Sequence, residues 1–328
     1  MALELTNRAD RPAGASELDP VLVHIGYHRT GTTWLQTSLF RDESAGFRAP
    51  HDKATDILPA LIAPHALDFD AAACQARLYP LLLEAQGSGL VPVVSSERLV
   101  GSPHFGGRDS KELADRVKAV FPSARVLVGI REQREVILSN YKSYVNAGGA
   151  STVADYLQPP VKGGGVPRFD LAHFEYDRLV GYYQRLFGAE RVIVSPLEEM
   201  VRDQTATIRR ITRLCSTGGH EMPASSATAG KRNAGLPGVA VPVKRLLNPI
   251  FARDRLNPRP LVPLTDGDAR LRRFSRKVAS RAPERWSRAI DGRLMDQVVA
   301  IVGDRYQASN ARLREMTGVP LERFGYEV

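Results

Sequence analysis

Between positions 21 and 35 the chain reads Val-Leu-Val-His-Ile-Gly-Tyr-His-Arg-Thr-Gly-Thr-Thr-Trp-Leu, and this order constrains the fold more than any other stretch. An apolar, β-branched run ends at Gly26, a second glycine follows at Gly31, and Thr32-Thr33 lead into a helical pattern. A strand, a tight glycine-bearing loop and a helix start together make an anion cradle, because the first backbone N–H groups of a helix lack intrahelical partners. A loop of this shape built for a nucleoside triphosphate carries Gly-Lys-Thr, its lysine reaching the β- and γ-phosphates. Here the sequence is Gly31-Thr32-Thr33. The loop is therefore suited to a terminal 5′-phosphate group in place of a triphosphate.

The rest of the chain reads as the surroundings of such a loop. Short apolar runs predict strands at Val21–Gly26, Leu90–Ser95, Arg125–Ile130 and Arg191–Ser195. Helical spacing predicts helices over Thr32–Phe40, Ala71–Gln86, Ser110–Phe121, Glu132–Val145 and Asp203–Leu214, and Asp170 reads as the N-cap of a long helix ending near Phe187-Gly188. Alternating strands and helices imply an α/β, P-loop-like three-layer fold, with a central parallel sheet flanked by helices. Residues 1–20 read as a flexible leader and 21–328 as a single domain. From about 216 the pattern gives way to a Gly/Ser/Pro-rich loop through Gly238, further prolines to Pro263, and a C-terminal helical extension with basic helices over Asp266–Arg281 and Arg293–Thr317.

Composition excludes some classes. At 328 residues, 43% apolar and 25% charged, the chain is of ordinary globular type. No stretch approaches the ~18 continuous apolar residues of a membrane span, and no signal-peptide core is present at the start, so a cytoplasmic location is expected. Two cysteines are too few for a disulfide framework. The net charge of +9 favours anionic ligands, and much of the excess lies late, between Arg253 and Arg288. That basic tail permits peripheral membrane contact or an acidic acceptor, and it equally suits a solvated helix face.

A second segment carries chemistry. Arg131 directly follows the third predicted strand, at the carboxyl end where ligands of open α/β sheets bind, and Ser139 stands two helical turns further on. An arginine and a hydroxyl so placed can grip one more phosphate. Glu97 stands just past the second predicted strand, again on the ligand side.

With these two motifs in this order, the sequence resembles the sulfotransferases that use 3′-phosphoadenosine 5′-phosphosulfate (PAPS), in particular bacterial and carbohydrate-type members. Their loop commonly reads Tyr-Pro-Lys-Ser-Gly-Thr-Thr-Trp, matched here by Tyr27-His28-Arg29-Thr30-Gly31-Thr32-Thr33-Trp34. Their 3′-phosphate segment has an arginine at a strand end and a serine eight positions on, as Arg131 and Ser139 have. Weaker similarity runs through the aromatic helix Phe174–Phe187, the strand Val192–Ser195 and Leu197-Glu198-Glu199-Met200.

The resemblance implies that Arg29, Thr30, Gly31, Thr32 and Thr33 wrap the 5′-phosphosulfate, that Trp34 stacks on adenine, and that Arg131 and Ser139 bind the 3′-phosphate. It implies a late basic loop closing over the cofactor, for which Lys231 and Arg232 are the local match. It also implies in-line sulfuryl transfer to an acceptor hydroxyl, of a carbohydrate, a glycolipid or another small molecule, with no metal and no nucleic acid. The family's base is a glutamate or a histidine, which points to Glu97, with His104 as the alternative. Ser95 or Ser96 could hydrogen-bond the phosphosulfate or position the acceptor.

The departure lies at Arg29 and His28, where the family pattern has lysine and proline. Arginine supplies the positive charge but is not a geometric equivalent of lysine, and it remains protonated. An electrostatic role for Arg29 is expected, with His28 as a possible sharer. Two other readings remain open from the residues: a P-loop nucleotide kinase or NTPase, disfavoured by the missing lysine, and a non-catalytic binding protein of the same fold.

Overall fold

The computed structural model describes residues 18–51, 53–159, 169–216, 235–251, 261–262 and 267–328. At its centre is a parallel five-stranded sheet of order β2-β3-β1-β4-β5, with β1 Leu22–Gly26, β2 Phe47–Arg48, β3 Val91–Ser95, β4 Arg125–Ile130 and β5 Val192–Pro196. β1 lies in the middle, paired with β3 through Leu22↔Val93 and with β4 through Leu22↔Arg125 to Gly26↔Gly129. The four longer strands are the four apolar runs of the sequence, within one residue at each end. The two-residue edge strand β2 pairs with Val91 and Pro92. It is too short for sequence periodicity to register.

Alternation within the strands divides the core into two clusters. Val23, Ile25, Val94, Val126 and Val128 belong to one; Leu22, Val91, Val93 and Leu127 belong to the other. Successive strand residues point to opposite faces, so each apolar run feeds both layers. Side chains from α1 Thr32–Thr37, α7 Leu197–Arg202 and α8 Gln204–Cys215 cover the second face. The first face is covered by α2 Ala71–Gly87, α3 Ser110–Val120, α4 Gln133–Asn146, α5 Val153–Leu157 and α6 Tyr176–Phe187. A π-type segment, Lys53–Ile62, packs beside α2. The result is the three-layer α/β fold that the alternation of elements predicts.

The extension is also helical, with α9 Ala240–Phe251, α10 Gly267–Arg281, α11 Glu284–Val302 and α12 Gln307–Thr317. Three sequence expectations need correction. A single helix over Arg293–Thr317 does not form: α11 begins earlier, at Glu284, and ends at Gly303, whose φ of 55° stops it before α12. Asp170 caps a 3₁₀ turn, Leu171–Phe174, through Ala172 N–H, and α6 starts only at Tyr176. Helix α9 lies in a stretch read as proline-rich loop. Pro242 falls in its first turn, where a missing N–H costs no intrahelical bond.

Candidate functional site

The carboxyl ends of β1, β3 and β4 meet along one edge of the sheet, and the segments leaving them form the site. Their relative placement is fixed by backbone bonds. Tyr27 N–H donates to the Gly129 carbonyl at 2.9 Å, and Ser96 N–H donates to the His24 carbonyl at 3.2 Å. The loop after β1 is thus anchored to β4 on one side, and the turn bearing Glu97 is anchored to β1 on the other.

Close packing under the loop accounts for its glycines. A Cβ on Gly26 would lie 2.6 Å from Thr32 Oγ1 and 3.1 Å from Thr30 Oγ1. Gly31 has φ 83°, and a Cβ there would run into Met200 Cε and Leu197 Cδ1 of α7. The Thr30 hydroxyl donates to the Tyr27 carbonyl at 2.6 Å, closing the loop on itself. Arg29 has φ 72° and is the one non-glycine among the described residues with positive φ. A long side chain in that region is strained, and such strain persists where the surroundings impose it, commonly at ligand sites.

Arg29 turns toward α4. Its Nε–H donates to Ser139 Oγ at 3.0 Å, so the loop and the arginine–serine motif are one constellation. Partial desolvation, and then repulsion from Arg131, lower the Arg29 guanidinium below its ordinary pKa. Arg131 itself pairs with Glu135 at 2.8 Å, and its carbonyl accepts from Tyr176 OH at 2.6 Å. Two guanidinium groups held near one another against their mutual repulsion, beside a loop shaped for an anion, mark a site of concentrated positive potential.

The Leu197-Glu198-Glu199-Met200 segment supports this corner from below. Leu197 and Met200 buttress Gly31, Glu198 accepts from the backbone N–H of Glu132 at 3.0 Å, and Glu199 pairs with Arg210 at 2.6 Å. Burial raises the Glu132 carboxyl pKa, against the lowering effect of two backbone N–H bonds at the start of α4.

Thr32 is buried and Thr33 exposed. Thr32 Oγ1 has no hydrogen-bond partner although it is buried, and neither does Trp34 Nε1. Trp34 is half-buried against the apolar cluster of the second face. Buried polar atoms are normally satisfied, so both are donors in want of an acceptor at the loop.

Glu97 opens a 3₁₀ turn, Glu97–Val100, whose N-cap is Ser96. It is half-buried, and the neighbouring Arg98 pairs with Asp109 at 2.5 Å. His104 stands among aromatic side chains: its Nδ1 is 3.1 Å from Tyr156 OH, and its ring stands 6.3 Å from that of Tyr144. Lys231 and Arg232 lie outside the described residues. Gly235, just beyond them, comes close to the loop: a Cβ there would sit 3.1 Å from Arg29 Nη2.

Some contributors were not singled out from the sequence. His24 is fully buried in β1, and its Nδ1 shares a 2.8 Å hydrogen bond with Ser95 Oγ. Gln36 of α1 donates to the same hydroxyl at 3.0 Å. Ser95 thus braces the loop's helix against two strands, while Ser96 Oγ accepts from Arg98 N–H. A histidine inside an otherwise apolar strand was the available signal. His173, buried beside Gly107 and near His28, has its pKa pushed down to about 3, chiefly by burial and then by the charge of His28.

A model described as "Sulfotransferase family" matches residues 103–218. Comparison with curated protein sequences gave no match. Among solved structures, the chain is similar to a sulfotransferase from Alicyclobacillus acidocaldarius at 17% identity, with 77% of this chain and 98% of that one covered and a TM-score of 0.45. It is similar to the sulfotransferase domain from the curacin biosynthetic pathway at 15% identity, covering 79% and 98%, TM-score 0.38. It is likewise similar to the sulfotransferase domain of the Synechococcus PCC 7002 olefin synthase, at 15% identity, 82% and 98% coverage and TM-score 0.38. The stretch matched by the family model, residues 103–218, holds Arg131, Ser139 and His104.

Proposed function

We propose that the protein transfers the sulfuryl group of PAPS to an acceptor hydroxyl, of a carbohydrate, a glycolipid or another small molecule. The observation that carries this reading is the 3.0 Å bond between Arg29 and Ser139, with Arg131 near enough to Arg29 to repel its charge. It joins a lysine-free phosphate loop to a second anion-binding pair, which suits a nucleotide phosphorylated at two separate positions better than a triphosphate. The unpartnered Thr32 hydroxyl fits a phosphate group at the loop.

Bound PAPS would supply an activated sulfuryl group and a phosphate as leaving group. Toward it, Thr30, Thr32, Thr33 and the loop backbone hold the 5′ end, Arg131 and Ser139 hold the 3′-phosphate, and Trp34 offers a face to adenine. Arg29 stabilises the charge that grows on the leaving phosphate oxygen, as a fixed cation and not as a proton donor. Glu97 takes the proton of the acceptor hydroxyl, a contribution of about 10²–10⁴-fold for a positioned base. Holding acceptor and donor in line supplies a further part of the acceleration. His104, engaged by Tyr156, is assigned to the acceptor wall in place of the base.

The test is transfer of sulfur-35 from labelled PAPS to a library of hydroxyl acceptors, alongside thermal stabilisation by 3′,5′-adenosine bisphosphate without magnesium. Stabilisation by Mg-ATP alone would assign the loop to NTP chemistry. Binding of the bisphosphate with no labelled acceptor would support a non-catalytic protein of the same fold.

A further inference from the structure

The helical extension carries a surface that the sulfuryl-transfer reading does not use. Val239, Phe274, Lys277, Arg281, Ala282 and Trp286 line an open groove of about 480 Å³ between the start of α9, the end of α10 and the start of α11. Phe274 is 51% and Trp286 54% exposed, which is unusual for side chains of this size. Helix α10 has six basic residues and one acidic one. Among the described residues no carboxylate pairs with Arg273, Lys277, Arg281 or Arg285, whereas Arg288 has Glu284 at 3.5 Å. Helix α9, packed along α10, exposes Leu246, and Leu261 and Val262, hydrogen-bonded to its last turn, are exposed too.

We infer that this face docks the protein onto an anionic lipid bilayer. Cations with free heads attract acidic headgroups, and exposed aromatic rings among them insert at the headgroup–acyl boundary. An acidic polymer would be met by the charges alone and leaves Phe274 and Trp286 without a role. The surface is joined to the proposed reaction centre: Val239 follows Gly235 by four residues, at most about 14 Å of chain, and Gly235 abuts Arg29. A docked protein therefore holds its phosphate loop close to the bilayer.

The test is sedimentation of the full chain with vesicles of phosphatidylcholine alone and with roughly one third phosphatidylserine. The native chain is expected to partition onto the acidic vesicles only, less so as salt rises, with a blue shift of tryptophan emission that Trp286→Ser abolishes. Phe274→Ser with Trp286→Ser, and separately Lys277→Glu with Arg281→Glu, should each lower partition at least about tenfold. These side chains are exposed, so thermal midpoints should hold; if the double apolar variant melts early, Trp286→Ser alone is used. Equal partition onto neutral vesicles, or variants that bind as the native chain does, would overturn the inference. So would binding to heparin without binding to vesicles, or a self-association lost with Phe274 and Trp286. Partition is read without any transfer assay, so its failure leaves the proposed reaction standing.

Discussion

Arg29 Nε–H donates to Ser139 Oγ at 3.0 Å, across 110 residues of sequence. One end of this bond belongs to the loop after β1 and the other to the helix after β4, and the strands themselves pair in register from Leu22↔Arg125 to Gly26↔Gly129. The parallel pairing is what brings the two motifs to a single place. On the proposed reading, Arg29 reports on both halves of the nucleotide.

Arg29→Ala should lower sulfuryl transfer about 10²–10³-fold, the usual cost of removing one donor from a developing charge. Arg29→Lys keeps the charge and should retain activity within about tenfold, since it restores the residue of the resembling family. Steady-state kinetics with labelled PAPS checks both. Equal losses in the two variants would show that guanidinium geometry, not charge, is what the loop needs.

Gly31→Ala should destabilise the fold by about 1–3 kcal/mol and weaken nucleotide binding, because φ is 83° and the new methyl group meets Met200 and Leu197. Met200→Ala in the same chain makes room for the methyl group and should recover part of the binding. Thermal unfolding with and without 3′,5′-adenosine bisphosphate reads both effects. A full-affinity Gly31→Ala protein would mean that the loop tolerates a different shape.

Glu97→Gln should cut the turnover number about 10²–10⁴-fold while leaving bisphosphate affinity unchanged, whereas His104→Ala should stay within about an order of magnitude of native turnover. The contrast follows from position. Glu97 stands at the strand-end turn beside the loop, while His104 is held by Tyr156. A reversed pattern in the two variants would move the base to His104.

His173 sets a pH dependence of stability. Its pKa is about 3 in the folded protein against an ordinary 6.5, so between these values the unfolded chain binds the extra proton. Stability from this group is complete above about pH 6.5 and declines as pH falls toward 3. His173→Phe should remove up to about one proton from the linkage in that window, visible as a shallower fall of the urea midpoint between about pH 6 and 4. An unchanged slope would show that His173 is not neutral in the native state.

What the sequence disclosed and what it hid have physical reasons. The strands β1, β3, β4 and β5 are largely buried on both faces, and each is written as a mainly apolar run. The loop announces itself because Gly26 and Gly31 sit where a Cβ has no room. Helix α9 was hidden because Pro242 and Pro249 look like breakers unless the first-turn position of Pro242 is known. The buttress under Gly31 was hidden too, since nothing local says that Leu197 and Met200 of a distant helix lie there. His24, Ser95 and Gln36 come from three elements, and only the assembled sheet edge shows them as one network. Arg131 and Ser139 were legible as a pair. That Ser139 meets Arg29 was not, since it depends on how β1 and β4 pair.

The most direct test of the proposed two-phosphate site is calorimetric titration of the full chain with 3′,5′-adenosine bisphosphate and with 5′-adenosine monophosphate, both without magnesium. The account predicts that the bisphosphate binds at least about 100-fold more tightly, as expected for a phosphate held by charge-assisted bonds. It also predicts that Arg131→Ala brings the two ligands to similar affinity. Equal binding of the two by the native chain, or binding that requires magnesium and a triphosphate, would contradict it.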